Sequence, residues 1–313
     1  MSPFEGAFDT VQPSGTLRPS YGGFMADLDL RPLSLGEILD RTFSLYRKNF
    51  LLFAGITAIP QLLILALRLV QTLFLTFPAT RGSVPFEQLQ GGIGGGLIAF
   101  GIIGAFVGVI AYLVAYLFAQ GGTVFAVSEL YLGRTTTIGA SLGRMRGQLG
   151  SLFGVILLNG LAVMGGFILL IIPGIYVACR LLTCVPAALL EDLGPRSSLE
   201  RSFGLTKDYA GRSFVIYLLY FVLAYAAAFL FTFPFGLAIG LSAKNPEALR
   251  MWFALSHVGE FIGQVLVSPI LTIATAVFYY DLRVRKEAFD LQFMMNPTGP
   301  IAPGTPGVAK TFS

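Results

Sequence analysis

The sequence predicts an all-α membrane protein: six transmembrane helices, three cytoplasmic interfacial amphipathic helices and a weak threefold internal repeat. Three observations carry this prediction. First, 55% of the 313 residues are hydrophobic and only 12% are charged, against ~25% charged in a soluble globular domain. Second, the apolar residues gather into six runs, roughly 50–77, 94–128, 150–172, 174–190, 213–240 and 256–280. A bilayer core takes about 20 helical residues, so each run is a candidate span. Third, Lys and Arg are divided very unevenly between the connections.

Residues 1–30 are rich in Pro, Gly, Ser and Asp. They lack the apolar core of a cleavable signal peptide and read as a disordered cytoplasmic tail. Residues 31–290 form the polytopic membrane domain. Residues 291–313 carry prolines 297, 300, 303 and 306 and read as a second disordered cytoplasmic tail. The second run is too long for a simple span, and Gly121-Gly122 is its expected weak point. The fourth is short and is expected to be entered through a turn at Pro173-Gly174. Pro60, Pro186, Pro234 and Pro269 lie in apolar runs, where neighbouring helices can satisfy the freed carbonyls.

Placing both termini inside puts sixteen of the 21 Lys and Arg residues on the inner side. Only Arg81, Lys244 and Arg250 then lie outside, and Arg68 and Arg180 fall within spans. The positive-inside rule therefore predicts a bacterial cytoplasmic membrane protein with both termini cytoplasmic. Topology accounts for the net charge of +4, and no nucleic-acid partner follows from it. Cys179 and Cys184 lie five apart in one span, a spacing that suits packing better than a disulfide or a metal.

Three stretches align without gaps before the odd-numbered spans: Ser34–Phe50, Thr137–Phe153 and Ser198–Phe214. Leu35, Ile138 and Leu199 each follow a hydroxyl residue, and Phe50, Phe153 and Phe214 close the copies. The first is apolar at 35, 38, 39, 43, 46 and 50, and the second at 138, 142, 145, 149 and 153, single faces at helical spacing. Ser34 with Glu37, and Ser197 with Glu200, have the spacing of capping boxes. The reading is three units, each an interfacial helix in the headgroup plane followed by a two-span hairpin.

The stretches L-S-L-G-E-I-L-D-R-T-F-S-L-Y-R-K-N-F at 33–50, P-G-I-Y at 173–176, P-A-A-L-L-E at 186–191, S-L-E-R-S at 198–202 and Y-D-L-R at 280–283 carry a resemblance. Over about residues 31–290 the chain resembles bacterial integral membrane proteins grouped with the membrane domain of glycerophosphodiester phosphodiesterases. In those enzymes a separate soluble barrel carries the catalysis. Only 23 residues follow residue 290 here, so the resemblance implies a membrane module without the enzyme activity.

No catalytic, cofactor or metal constellation emerges from the residues. Gly139-Ala140-Ser141-Leu142-Gly143 matches the G-x-S-x-G pattern, but it lies in a helical stretch rather than at a strand-to-helix turn. His257, the only histidine, begins the last span on the opposite side of the membrane, so no triad forms. His257 and Glu260 have ligand spacing but no third ligand in sight. Gly92 and Gly96, and Gly104 and Gly108, are small-residue pairs that permit close helix approach.

Arg180 is the most informative single residue, because an unpaired Arg inside a span costs about 2.5–3.5 kcal/mol. With Gln120 and Asn159 it forms a candidate buried polar site at mid-membrane depth. Arg41, Arg47, Lys48, Arg144, Arg146, Arg201 and Lys207 form a candidate inner collar for anionic lipid headgroups or an acidic partner. The leading expectation is a non-enzymatic module that organises lipid or a partner protein. The alternative is a transporter or permease for a lipid-like or amphipathic solute. No cofactor is expected.

Overall fold

The computed structural model describes residues 31–72, 92–242 and 245–287. The tails expected at 1–30 and 291–313, and the connection holding Arg81, lie outside those residues. Among the described residues the chain is all helical, and six helical segments are long and apolar enough to cross a membrane. This is a multi-pass membrane protein.

Helix α1 (Leu35–Lys48) starts at a complete capping box: Ser34 Oγ accepts from Glu37 N–H, and the Glu37 carboxylate accepts from Ser34 N–H at 2.6 Å. The chain bends at Asn49 and enters α2 (Phe50–Val70). Helix α3 (Gly92–Tyr131) runs unbroken for 40 residues, or ~60 Å, so it outruns the bilayer. Gly133, in the left-handed region at φ 76°, turns the chain away after it. A short helix α4 (Ile138–Gly143), capped by Thr137, passes into a 3-10 turn (Arg144–Gly147).

The hairpin α5 (Leu149–Leu169) and α6 (Ile171–Arg180) follows, then α7 (Cys184–Leu190), α8 (Pro195–Leu205), α9 (Ala210–Leu241) and α10 (Pro246–Glu287). Helix α10 is 42 residues long and carries Pro269.

Burial alternates along the chain. In the most apolar 18-residue stretch of each candidate span, the odd-numbered spans are 22%, 11% and 6% buried and the even-numbered ones 44%, 50% and 61%. The second span of each successive pair thus lies toward the interior and the first stays more exposed. An exposed apolar belt runs over Phe106, Ile168 to Ile172, Tyr225 and Leu230. The main core lies instead toward the end where α1, α4 and α8 gather. It is built from Phe53, Ile56, Val127, Ala187, Leu205, Ile216 and the stretch Ile273–Val284. We refer to this as the charged end.

Three expectations are corrected. Gly121-Gly122 is not a break. A Cβ on Gly121 would lie 2.0 Å from Met145 Sδ, and one on Gly122 2.8 Å from a Leu142 methyl. The two glycines form the floor on which α4 and the 3-10 turn are seated. The turn before the fourth run falls at Leu170, which is extended at φ −168° and ψ 160°. Pro173 sits in the first turn of α6, where a missing N–H costs nothing. Gly174 faces Gly166, whose added Cβ would come within 2.9 Å of Gly174 Cα. Ser197 and Glu200 make no capping box: α8 begins earlier, with Gly194 at the cap and Pro195 as its first residue. Ser198 therefore lies inside the helix and donates to the Gly194 carbonyl at 2.7 Å. The fourth span is divided, with α6 and α7 separated by a turn at Leu181–Thr183.

Candidate functional site

The chemistry of the charged end grows from α10. Its last turns put Tyr279, Asp281 and Arg283 in the core, all at 1% exposure or less. Burying such groups is tolerable only when each is paired. Glu191, at the end of α7, supplies one partner. It accepts from Arg201 Nε at 2.8 Å and Nη2 at 2.9 Å, and from the Tyr279 hydroxyl at 2.7 Å. Arg283 Nε lies 3.9 Å from Glu191 and 3.0 Å from Glu287, and Glu287 also takes Arg201 at 2.5 Å. Burial disfavours the Arg201 guanidinium, but Glu191 and Glu287 outweigh it and push its pKa up.

Asp281 anchors a second cluster. It accepts the Leu33 N–H at 2.7 Å and Arg285 Nε at 2.9 Å, and Arg212 stands 3.5 Å away. Arg212 and Arg285 both donate to the Leu33 carbonyl. The segment before α1 is thereby tied to α9 and α10. Sequence reasoning counted Arg212, Arg283 and Arg285 only as inside charges. A carboxylate directly after an apolar run, Glu191 after 174–190 and Asp281 after 256–280, was the signal for this network.

Arg180 belongs to the charged end rather than to mid-membrane. Its guanidinium donates to the Phe203 carbonyl at 2.5 Å and to Tyr176 Oη at 2.9 Å, and stacks over Phe203. Its own carbonyl accepts from Ser202 and Thr206. Arg180 and Glu191 both reach α8, although eleven residues of straight helix would part them by ~16 Å. The turn at Leu181–Thr183 makes this convergence geometrically accessible. Arg180, Gln120 and Asn159 are not brought together. Asn159 lies on α5 with Oδ1 buried and unpartnered. Gln120 accepts from Thr272 at 3.0 Å and donates to Tyr116 at 3.0 Å.

The collar residues fall into two sets. Arg41 lies over Tyr131 and donates to its hydroxyl. Arg144 pairs with Glu129 at 2.6 Å and lies over Phe125, and Arg201 is held in the Glu191 network. By contrast, Arg47, Lys48, Arg146 and Lys207 are exposed. Ser141 is buried and hydrogen-bonded to Thr136 at 3.1 Å, with no histidine near it.

A third feature runs between α2, α3 and α10. On α10, His257, Glu260, Gln264, Ser268 and Thr272 recur at three- and four-residue spacing, one face of a helix. Tyr112, Tyr116, Gln120 and Thr123 do the same on α3, and Thr57, Gln61 and Arg68 share a face of α2. A cavity of about 210 Å³ at the end remote from the charged one is lined by Gln61, Arg68, Tyr112, His257, Glu260 and Gln264. Gln61 also lines a smaller cavity of about 30 Å³, with Thr57, Tyr116, Gln120, Ser268 and Thr272. Arg68 is ion-paired with Glu260, and His257 shares a 3.2 Å hydrogen bond with Thr72. Among the described residues no three His, Cys, Asp or Glu side chains cluster as a metal site. Comparisons with known protein families, with curated proteins and with solved structures find no match.

Proposed function

We propose that this chain is a non-enzymatic membrane module whose charged end faces the cytoplasm and gathers anionic lipid headgroups of the inner leaflet. One observation carries the reading. Arg47, Lys48, Arg146 and Lys207 are exposed and make no ion pair with another described residue, while the basic residues beside them are bound internally. Phe50, Leu51, Phe153 and Phe214, exposed close to them in the chain, would enter the acyl layer as the cations meet phosphate. Each such cation contributes roughly 1 kcal/mol near an anionic leaflet, and salt screens it. The stretches that carry the resemblance to the phosphodiesterase membrane domain support the reading from another side. P-A-A-L-L-E, S-L-E-R-S and Y-D-L-R meet at Glu191, Arg201 and Arg283, where they brace the collar.

The test changes Arg47, Lys48, Arg146 and Lys207 to Gln and leaves every internally paired Arg in place. The expected outcome is less co-purified anionic phospholipid and lost binding to anionic nanodiscs, with an unchanged melting temperature. Unchanged lipid together with loss of a co-purified acidic protein would replace the lipid by a protein partner. A permease for an amphipathic solute is the second reading, and the polar seam between α2, α3 and α10 favours it.

A further inference from the structure

We propose that the cavity at the far end of the seam binds a small zwitterion, an ammonium joined to a phosphate or carboxylate, between Arg68 and Glu260. The proposal does not depend on the lipid collar. Arg68 is the one charged residue in α2, and from Ala248 to Tyr280 α10 carries only Arg250, His257 and Glu260 among groups able to hold charge at neutral pH. Two of these few charges, Arg68 and Glu260, meet at the cavity wall. Their side chains keep 42% and 37% of their surface exposed. The pair is thus open to exchange, unlike the buried pairs of Glu191 and Asp281.

The charge pattern selects the ligand. An anion alone on Arg68 would face the Glu260 carboxylate, and a cation alone on Glu260 would face the guanidinium. A neutral molecule would gain hydrogen bonds from either but no ionic contact. A zwitterion replaces the internal ion pair by two external ones and leaves no charge unpaired. Gln61, Gln264 and Tyr112 supply further hydrogen-bonding groups on the wall.

Size and position agree with this class. The cavity of about 210 Å³ is far above the roughly 10–15 Å³ that one water needs and has room for a small molecule. Arg68 stands eighteen residues beyond Phe50, ~27 Å along the helix, against a hydrocarbon core of ~30 Å. That level is the far headgroup boundary, where a zwitterionic lipid headgroup and a dissolved amino-acid-like solute are both at hand. Below the mouth, the 30 Å³ cavity is large enough for one water. Ser268 Oγ, buried there without a partner, would take it.

The experiment uses the full chain in nanodiscs. One arm measures retention of phosphatidylethanolamine by native mass spectrometry, in discs that also contain phosphatidylglycerol. The other titrates free phosphoethanolamine into discs of phosphatidylglycerol alone and follows the melting temperature. Binding in at least one arm is expected, and R68Q and E260Q should each weaken it by at least about tenfold, the loss of one charge-assisted contact. The swap R68E/E260R keeps the ion pair and separates the sources. A free zwitterion can turn round and bind again, whereas a headgroup tethered by its phosphate cannot. Q264W fills the cavity without touching the pair and should abolish binding even if the charge variants fold poorly. No binding by the parent protein in either arm, or parental binding by Q264W, would overturn the proposal.

Discussion

At the charged end Tyr279, Asp281 and Arg283 are at most 1% exposed, whereas at the far end Arg68 and Glu260 keep 42% and 37% of their side-chain surface open. Helix α10 takes part at both places, with α7, α8 and α9 at the first and with α2 at the second. The difference lies in what surrounds the charges. Three surface segments, α1, α4 with its 3-10 turn, and α8, close over the charged end and exclude solvent and lipid together. Nothing described caps the far end, and there helices touch through small residues. A Cβ on Gly259 would lie 2.1 Å from the Phe231 carbonyl oxygen, and one on Gly108 3.1 Å from a Leu67 methyl. Lipid offers no hydrophobic drive to bring helices together, so such close approach and polar contacts must hold them. One end is locked and the other is free to exchange partners.

The comparison breaks most visibly at Glu191. Glu191→Ala strips Arg201, Arg283 and Tyr279 of a shared partner and leaves charge buried, at a cost of about 3–5 kcal/mol. Reversible unfolding in mixed micelles measures this, and a loss below about 1 kcal/mol would show that the network is not a lock. Next is the seat of α4. Gly121→Ala drives a methyl into Met145 and should cost about 1–3 kcal/mol. Adding Met145→Ala should recover part of that loss, because the two positions share one contact. Equal penalties with and without Met145 would mean that the contact is not what limits Gly121.

At the far end Arg68→Gln should cost no more than about 1 kcal/mol, as for other half-exposed pairs. A larger loss would make the two ends alike. The smallest effect is expected at Glu37, whose carboxyl is held down at about 2 by its hydrogen bonds to Ser34 and by Arg31. A depressed carboxylate stabilises the fold above its unfolded value of 4.5, and that contribution fades as pH falls from 4.5 through 2. Glu37→Gln should therefore remove this slight stabilisation at pH 7 and flatten the acid-side slope between pH 4.5 and 2, read by circular dichroism of α1.

Six apolar runs and the capping box at Ser34 and Glu37 were legible in the sequence. Each rests on neighbours within one turn or on length against bilayer thickness. The seam was half legible. His257, Glu260 and Gln120 stood out singly, but the stripe from His257 to Thr272 has meaning only once α2 and α3 present matching faces to it. Arg180 was misplaced because straight-helix arithmetic carries no information about the turn at Leu181–Thr183.

By itself, then, the sequence determined that this chain enters a membrane as six apolar helical segments, because hydropathy is a local quantity. Tertiary structure alone decided which charges are spent. Arg201 and Arg283 disappear into carboxylate pairs, Arg47 and Arg146 stay at the surface, and Arg68 meets Glu260 across 192 residues of chain. Whether a cation is paired depends on distance and desolvation. Both are set by the crossing of helices far apart in the sequence, and no window of neighbouring residues records them.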